Sequence, residues 1–291
     1  MKIRPWIEAM RLRTLPVSVS GVVVAAGLAV FAGCFNIPVF VLCTVFAVLS
    51  QIASNFANEY YDYRDGLDRP GREGPRRGVT EGDISPRAMA YATGVTLVLA
   101  CLVGCSLIYY GGGWLIPAGI LIALGVVAYS AGPYPLSRHS LGEVAVVLFF
   151  GIIPVNLTFY IMDGGWSLYV ILSSISVGLL GADILIVNNY RDADDDRAVG
   201  KITLAVRVGR KPVWWLYLLN GYMAVALMMP LWSYFGLWWL LLPAVFLSLH
   251  TFLWWRIGKT EGSALNPMLG MTAMAMLLYS LMFIAMVAAN C

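Results

Sequence analysis

The sequence contains two clusters of acidic and amide side chains whose spacing suits a divalent cation. In one, Asp192 and Asp196 stand four positions apart, so on a helix they share a face, and Asn188 lies one turn earlier. With Asp194 and Asp195 between them, the carboxylates repel one another unless cations neutralise them. Oxygen-only ligands suit Mg²⁺, which binds one or two carboxylates and completes its octahedron with water and phosphate. Taken alone, this cluster would fit a solvated helix end equally well.

A second cluster has the same design. Its members, at steps of three and four, are Gln51, Asn55, Asn58, Asp62 and Asp65, with Asp68 three residues further on. At about 100° per residue, the members up to Asp65 fall within an arc of about 80° on one helix face. Both clusters emerge from the end of an apolar run, and two helix ends of matching design predict one shared metal site.

The composition is that of a membrane protein. Of the 291 residues, 60% are hydrophobic and 12% are charged, whereas soluble domains carry about 25% charged residues. Apolar segments long enough to span a bilayer occur near 15–34, 37–59, 88–110, 113–132, 141–162, 167–189, 212–231, 235–255 and 267–289. We therefore predict a single all-α domain, residues 1–291, with nine transmembrane helices around a central cavity.

The basic residues predict the orientation of this bundle. All 19 Lys and Arg residues fall in the N-terminal segment and in alternate loops. By the positive-inside rule, the N-terminus is then cytoplasmic, the C-terminus is outside, and both acidic clusters face the cytoplasm from the cell (inner) membrane. The net charge of +3 follows from this topology and predicts no nucleic-acid partner.

Two long loops, 60–87 and 190–211, follow the acidic clusters, and each contains six basic residues. Long loops of this kind beside metal ligands resemble a cap that closes over phosphate. Carboxylate-bound Mg²⁺ flanked by Arg and Lys would neutralise the charge of a departing diphosphate, and a membrane-embedded cavity would hold an isoprenoid tail. The residues thus predict ionisation of a lipid diphosphate beside membrane lipid.

Several stretches make the sequence resemble the UbiA superfamily of intramembrane prenyltransferases. Its Asn-x-x-x-Asp and Asp-x-x-x-Asp signatures occur as 58–62 and 192–196, and further similar stretches are 11–16, 55–68, 74–78, 129–136, 141–143 and 188–209. Within the superfamily, the chain is most similar to the enzymes that act on 1,4-dihydroxy-2-naphthoate. One departure is Gly66, where the broader superfamily often has a second Asp.

The resemblance implies roles for particular residues. Two Mg²⁺ ions would be held by Asp62, Asp192, Asp196 and either Asp65 or Asp68, assisted by Asn58 and Asn188. The diphosphate would be bound by Arg11, Arg77 and Lys201, with Arg72, Arg191 and Arg197 as further candidates. Tyr129 would stabilise the allylic cation through its π face. Glu143 is a candidate for orienting the acceptor.

Asp183 stands apart from these motifs. It lies nine residues before Asp192, inside the bilayer, where ionisable groups are functional by default. A straight helix turns it to the opposite face from Asp192, so an acceptor-binding role and a structural role both stay open.

The implied reaction transfers a polyprenyl group from polyprenyl diphosphate to 1,4-dihydroxy-2-naphthoate with decarboxylation, giving demethylmenaquinol. The alternatives within the superfamily are other acceptors: 4-hydroxybenzoate, homogentisate, a chlorin or haem. A rival class is a secondary transporter, whose inverted repeats meet at the membrane midplane. Charge concentrated at one membrane face favours the enzyme.

Overall fold

The computed structural model describes residues 3–71, 73–163 and 165–291. Within them the chain is helical, with one isolated β-bridge and no β-strand. The α-helices are α1 (Ile3–Met10), α2 (Leu15–Phe31), α3 (Ile37–Arg64), α4 (Pro86–Gly111), α5 (Leu115–Ala128), α6 (Gly142–Val146), α7 (Ile153–Asp163), α8 (Leu168–Ala198), α9 (Leu204–Val208), α10 (Arg210–Trp232), α11 (Leu241–Ile257) and α12 (Asn266–Ala288). A π-helical segment, Val147–Ile152, joins α6 to α7.

Eight helical segments among the described residues are long and apolar enough to cross a membrane, and α5 is a further apolar helix. Each of the nine predicted spans coincides with one of them, so the prediction of an all-α, multi-pass membrane protein is confirmed. The fourth span is shorter than predicted, because α5 has 14 residues, about 21 Å, against a hydrocarbon core of about 30 Å. It is followed by Gly132 at φ 95° and by Pro133 and Pro135, which do not continue a helix.

Helices α3 and α8 are the long ones, with 28 and 31 residues. Each continues beyond its predicted span, to Arg64 and to Ala198, so the α8 cluster lies on helix and the α3 cluster does so as far as Asp62, with Asp65 and Asp68 just past the helix end. The N-termini are capped by side chains: Asn36 accepts a hydrogen bond from Val39 N, and Ser167 accepts one from Val170 N. The polar C-terminal ends of both helices extend beyond the apolar segments because the helices are long.

The bundle is packed unevenly. The main core lies among α2, α7, α8, α10, α11 and α12 and includes the fully buried Trp232, Tyr279 and Phe283. On that side α8 meets the π-helical segment at Gly151 and Gly178, where a Cβ on Gly151 would lie 2.4 Å from Gly178 Cα. On the other side, α3, α4, α5 and α7 share a much smaller cluster and enclose open space.

Candidate active site

A polar cavity of about 620 Å³ lies between the polar ends of α3 and α8. Its polar lining includes Arg11, Asn58, Glu59, Arg76, Arg77, Ser137, Glu143, Asn188, Asn189, Arg191, Lys201 and Thr203. Because Asn58 lies on α3 and Asn188 on α8, the structure brings the two clusters to one cavity.

On the α3 side, the carboxamide of Asn58 is the centre of a hydrogen-bond network. Its Oδ1 accepts from Arg11 Nη2 at 2.5 Å and from Arg77 Nη2 at 3.2 Å, and its Nδ2 donates to Ser130 Oγ at 3.1 Å. Arg11 is in the left-handed conformation, φ 54°, at the break between α1 and α2, a conformation that is uncommon for non-glycine residues. Glu59 fixes the following loop, since its Oε1 accepts from Val79 N at 3.0 Å.

On the α8 side, the guanidinium of Arg191 is fully buried and binds three partners. It donates two hydrogen bonds to Asp192, Nε to Oδ1 at 2.6 Å and Nη2 to Oδ2 at 2.8 Å. It also donates to Asn188 Oδ1 at 2.8 Å and to Asn266 Oδ1 at 2.7 Å, at the start of α12. Paired bonds of this kind are the strong form of charge-assisted hydrogen bond.

Arg138 connects the two helix ends, although the sequence motifs did not predict a role for it. Its Nη2 lies 3.6 Å from Asp62 Oδ1 on α3. The backbone carbonyl oxygen of Arg138 accepts a hydrogen bond from Ile202 N at 3.2 Å. Lys201, which precedes Ile202, has its Nζ 3.5 Å from Asp196 Oδ1 on α8. The only signal in the sequence was that Arg138 is the single Lys or Arg of loop 132–140.

The predicted carboxylate ligands lie behind the basic side chains. Asp62, Asp192 and Asp196 are buried, and none of them lines the cavity directly. Within the described parts of the chain, no three His, Cys, Asp or Glu side chains lie close enough to share an ion. The donor set nevertheless fits Mg²⁺, which takes one or two carboxylates plus phosphate oxygens, and Asp62 Oδ1 is a buried oxygen without a hydrogen bond among the described residues.

The two open candidates for the remaining ligand differ in burial. Asp65 has 27% of its side chain exposed and pairs with Arg64 at 2.8 Å and Arg138 at 2.7 Å. The hydrogen bonds from Arg64 and Arg138 hold the pKa of the Asp65 carboxyl below its usual value. Asp68 has 3% of its side chain exposed, with Arg77 Nε at 3.5 Å. Burial beside a cavity-lining base favours Asp68.

The remaining basic candidates are placed differently. Arg197 has 59% of its side chain exposed, pairs with Asp194 at 3.1 Å and does not line the cavity. Arg72 lies outside the described residues. The neighbouring Glu73 reaches across the site: its N donates to Asp195 Oδ2 at 3.2 Å, and its Oε2 accepts from Ser263 N at 2.7 Å. This part of loop 60–87 is thereby tied to α8 and to the α11–α12 connection.

A second, apolar cavity of about 510 Å³ lies among α3, α4, α5, the π-helical segment and α7. The residues that line both cavities are Gln51, Ser54, Tyr129, Val146 and Phe150. The polar cavity therefore opens into the apolar one, and Tyr129, which directly follows α5, lies at their junction.

The two acceptor candidates separate. Glu143, at the start of α6, lines the polar cavity, and its Oε1 accepts from Asn189 Nδ2 at 2.8 Å. Asp183 lines neither cavity; its Oδ1 accepts from Asn220 Nδ2 on α10 at 2.8 Å. An acceptor-binding role for Asp183 stays a prediction without support from this geometry.

A basic cavity that opens into an apolar one, inside a bundle of membrane helices, is typical of intramembrane enzymes whose substrates have a charged head and a lipid tail. The sequence profile of the UbiA prenyltransferase family matches residues 18–287, and the chain belongs to that family. The family resemblance carried by the two motifs is thereby confirmed.

Relatives of known activity are similar over nearly the whole chain. The chain is 33% identical to 1,4-dihydroxy-2-naphthoate octaprenyltransferase of Escherichia coli, with 97% of this chain and 94% of the relative covered. It is 32% identical to the enzyme of the same name from Mycobacterium leprae, with 95% and 93% covered.

Solved structures share the fold. A UbiA homologue from Aeropyrum pernix superposes with a TM-score of 0.69 at 16% identity and covers 98% of each chain. A UbiA homologue from Archaeoglobus fulgidus bound to GPP and Mg²⁺ superposes with a TM-score of 0.67 at 16% identity, with 97% of this chain and 99% of the homologue covered.

Proposed function

We propose that the protein transfers a polyprenyl group from polyprenyl diphosphate to 1,4-dihydroxy-2-naphthoate, with loss of diphosphate and carbon dioxide, giving demethylmenaquinol. The observation that carries the proposal is the junction at Tyr129, where a basic cavity suited to a diphosphate meets an apolar cavity suited to a prenyl chain. The activity named for the relatives from E. coli and M. leprae supports this acceptor.

Mg²⁺, when bound, would neutralise the charge that builds on the departing diphosphate. Its ligands in this chain would be Asp62, Asp68 or Asp65, Asp192 and Asp196, assisted by Asn58 and Asn188. The Mg²⁺ bound by the Archaeoglobus fulgidus homologue supports the choice of metal.

The cavity-lining bases would bind the diphosphate oxygens. Arg11, Arg77, Arg191 and Lys201 line the polar cavity, and Arg72 and Arg197 are further candidates from the sequence. In the present structure these bases pair with the carboxylates and amides behind them. Substrate binding would exchange those pairs for base–phosphate pairs, and Mg²⁺ would compensate the buried carboxylates that the bases release.

The reacting atoms would meet at Tyr129. The allylic carbon–oxygen bond breaks, its electron pair leaves with the diphosphate, and the Tyr129 ring stabilises the cation. The carboxylated ring carbon then forms the new carbon–carbon bond, and carbon dioxide leaves its bonding pair to the ring. The apolar walls exclude the water that would otherwise capture the cation.

We further propose that residues 1–291 are one domain of the cell (inner) membrane, with the N-terminus cytoplasmic and the C-terminus outside. Loops 60–87 and 190–211 would cap the site. Membrane lipid would cover exposed apolar side chains such as Tyr109 and Leu121. Single-cysteine labelling of loop 132–140 from each side of the membrane tests the orientation, and labelling from outside only contradicts it.

The decisive assay uses purified protein with Mg²⁺, a polyprenyl diphosphate and a panel of aromatic acids, with product mass as the readout. A prenylated, decarboxylated naphthoate is expected. Prenylated 4-hydroxybenzoate or homogentisate in its place would retain the enzyme class and change the acceptor. No prenylated product from any acceptor would refute the proposal.

A further inference from the structure

One wall of the polar cavity carries three buried polar atoms without a hydrogen-bond partner among the described residues. They are Ser137 Oγ, Glu143 Oε2 and Thr203 Oγ1. The residues are 8%, 8% and 2% exposed. Leaving one buried polar atom unsatisfied costs about 1–3 kcal/mol, so three on one wall indicate a surface prepared for a polar ligand.

Backbone contacts bring Ser137 and Thr203 to the same wall. Ser137 N donates to Tyr129 O at 3.0 Å, which places Ser137 beside the junction of the two cavities. The isolated parallel bridge joins His139 to Ile202, next to Thr203, and Ser140 Oγ donates to Ile202 O at 2.9 Å. Two loops that are distant in sequence thus form one surface.

The third group, Glu143, is held beside Tyr129. Its Oε1 is fixed by Asn189, which leaves Oε2 for a ligand. A Cβ on the preceding residue, Gly142, would lie 3.7 Å from the Tyr129 hydroxyl. Thr203 stands at the N-cap of α9 but makes no capping bond with its side chain, the usual use of a threonine there, so its hydroxyl also stays available.

The chemistry of this wall differs from that of the diphosphate side. The carboxylate of a glutamate repels a diphosphate and accepts a hydrogen bond from a hydroxyl, whereas Ser and Thr hydroxyls donate to a carboxylate on the ligand. A ring that bears both a hydroxyl and a carboxylate satisfies all three groups.

We propose that Ser137, Glu143 and Thr203 form the subsite for the aromatic acceptor, an inference that rests on the proposed function. Glu143 Oε2 accepts a hydrogen bond from a ring hydroxyl, and the hydroxyls of Ser137 and Thr203 donate to the ring carboxylate. Tyr129 then lies between the acceptor and the opening of the apolar cavity.

The test measures KM for both substrates with purified full-length protein and Mg²⁺. Ser137→Ala and Thr203→Val are each expected to raise KM for 1,4-dihydroxy-2-naphthoate about tenfold and to leave KM for the prenyl diphosphate unchanged. Thr203→Ser, which keeps the hydroxyl, should behave like wild type. An unchanged acceptor KM in both variants, or equal changes in both KM values, would overturn the subsite.

A binding measurement separates this inference from the proposed reaction. Wild-type protein should bind 1,4-dihydroxy-2-naphthoate more tightly than 1,4-dihydroxynaphthalene, which lacks the carboxylate, and Thr203→Val should lose that preference. If wild type forms no product yet shows this pattern, the reaction is wrong and the subsite stands. If product forms and the preference survives in Thr203→Val, the subsite is wrong and the reaction stands.

Discussion

Asp183 and Asp192, two of the buried carboxylates of helix α8, have contrasting surroundings. Asp192 lies beside the polar cavity and accepts two hydrogen bonds from Arg191. Asp183, nine residues earlier, faces the packed side, where Asn220 donates one hydrogen bond and His250 Nε2 lies 3.9 Å from the other oxygen. Asp192 is paired with a guanidinium that could bind a ligand instead, whereas Asp183 is paired with a neutral amide inside the bundle.

The surroundings of Asp183 are those of packed structure. His250 stacks on Tyr217 with ring centroids 4.5 Å apart, and Gly221 makes room for it, because a Cβ there would lie 2.2 Å from His250 Nε2. The cavity side keeps its space open instead. Burial alone therefore does not identify a site residue. A residue of the site also has charged neighbours and lies beside a cavity.

The largest effect is expected at the cavity-side carboxylates. Asp192→Asn, or Asp62→Asn on α3, should lower kcat/KM by about 10²–10³-fold, because an amide cannot supply the negative charge that metal binding requires. Steady-state assays at saturating Mg²⁺ measure this. Asp183→Asn is the matched control and should keep wild-type activity. An equal loss of activity in Asp183→Asn would show that the two faces of α8 do not differ in function.

A large effect on stability is expected on the packed side. Asp183→Ala leaves the Asn220 amide buried without its acceptor and should destabilise the protein by about 1–3 kcal/mol. Asp183→Asn retains an acceptor and should be much less destabilised. Thermal unfolding in detergent measures both. Identical midpoints for Asp183→Ala and wild type would show that the hydrogen bond to Asn220 contributes nothing.

The sequence was sufficient for the features that depend on local pattern. Nine apolar runs predicted the spans, and the three- and four-residue spacing from Asn55 to Asp65 predicted one helical face, which α3 forms as far as Asp62. Both features depend on residues near one another along the chain. The 900° rotation between Asp183 and Asp192 likewise predicted their opposite faces. Even α5 ended early for a local reason, the Gly and Pro residues after it.

The partners of those clusters were not predictable, because each comes from a distant segment. Arg138 is 76 positions from Asp62 by residue number, and Asn266 is 75 from Arg191. Ser137 and Thr203 belong to no spacing pattern, and only the bridge between their loops brings them together. Pairing across the bundle depends on which helices pack side by side, and one sequence read for local periodicity does not contain that information.

Filling the apolar cavity tests whether the open space on the cavity side of the bundle binds the prenyl chain. Ala47→Phe projects a ring into that space and should raise KM about tenfold for a long polyprenyl diphosphate, while geranyl diphosphate is unaffected. The lost burial of about two methylene groups, about 0.8 kcal/mol each, accounts for this magnitude. Val98→Phe on the exposed face of α4 is the control. Equal effects on both chain lengths would mean that the tail lies elsewhere.

The smallest effect concerns the exposed carboxylate of the α3 cluster. Asp65→Asn removes a partly exposed pair of a kind that contributes little, so activity should change far less than in Asp68→Asn. Because Arg64 and Arg138 lower the pKa of Asp65, the stabilisation from its carboxylate is present above the ordinary carboxyl pKa of about 4 and is lost as pH falls through the lower folded value.

Unfolding midpoints of wild type and Asp65→Asn should therefore differ by a constant amount near neutral pH and converge in acid. A difference that grew as pH fell would assign the opposite sign to the pKa shift. A larger loss of activity in Asp65→Asn than in Asp68→Asn would make Asp65 the metal ligand. The partly exposed carboxylate would then bind the metal in preference to Asp68, which is buried beside Arg77.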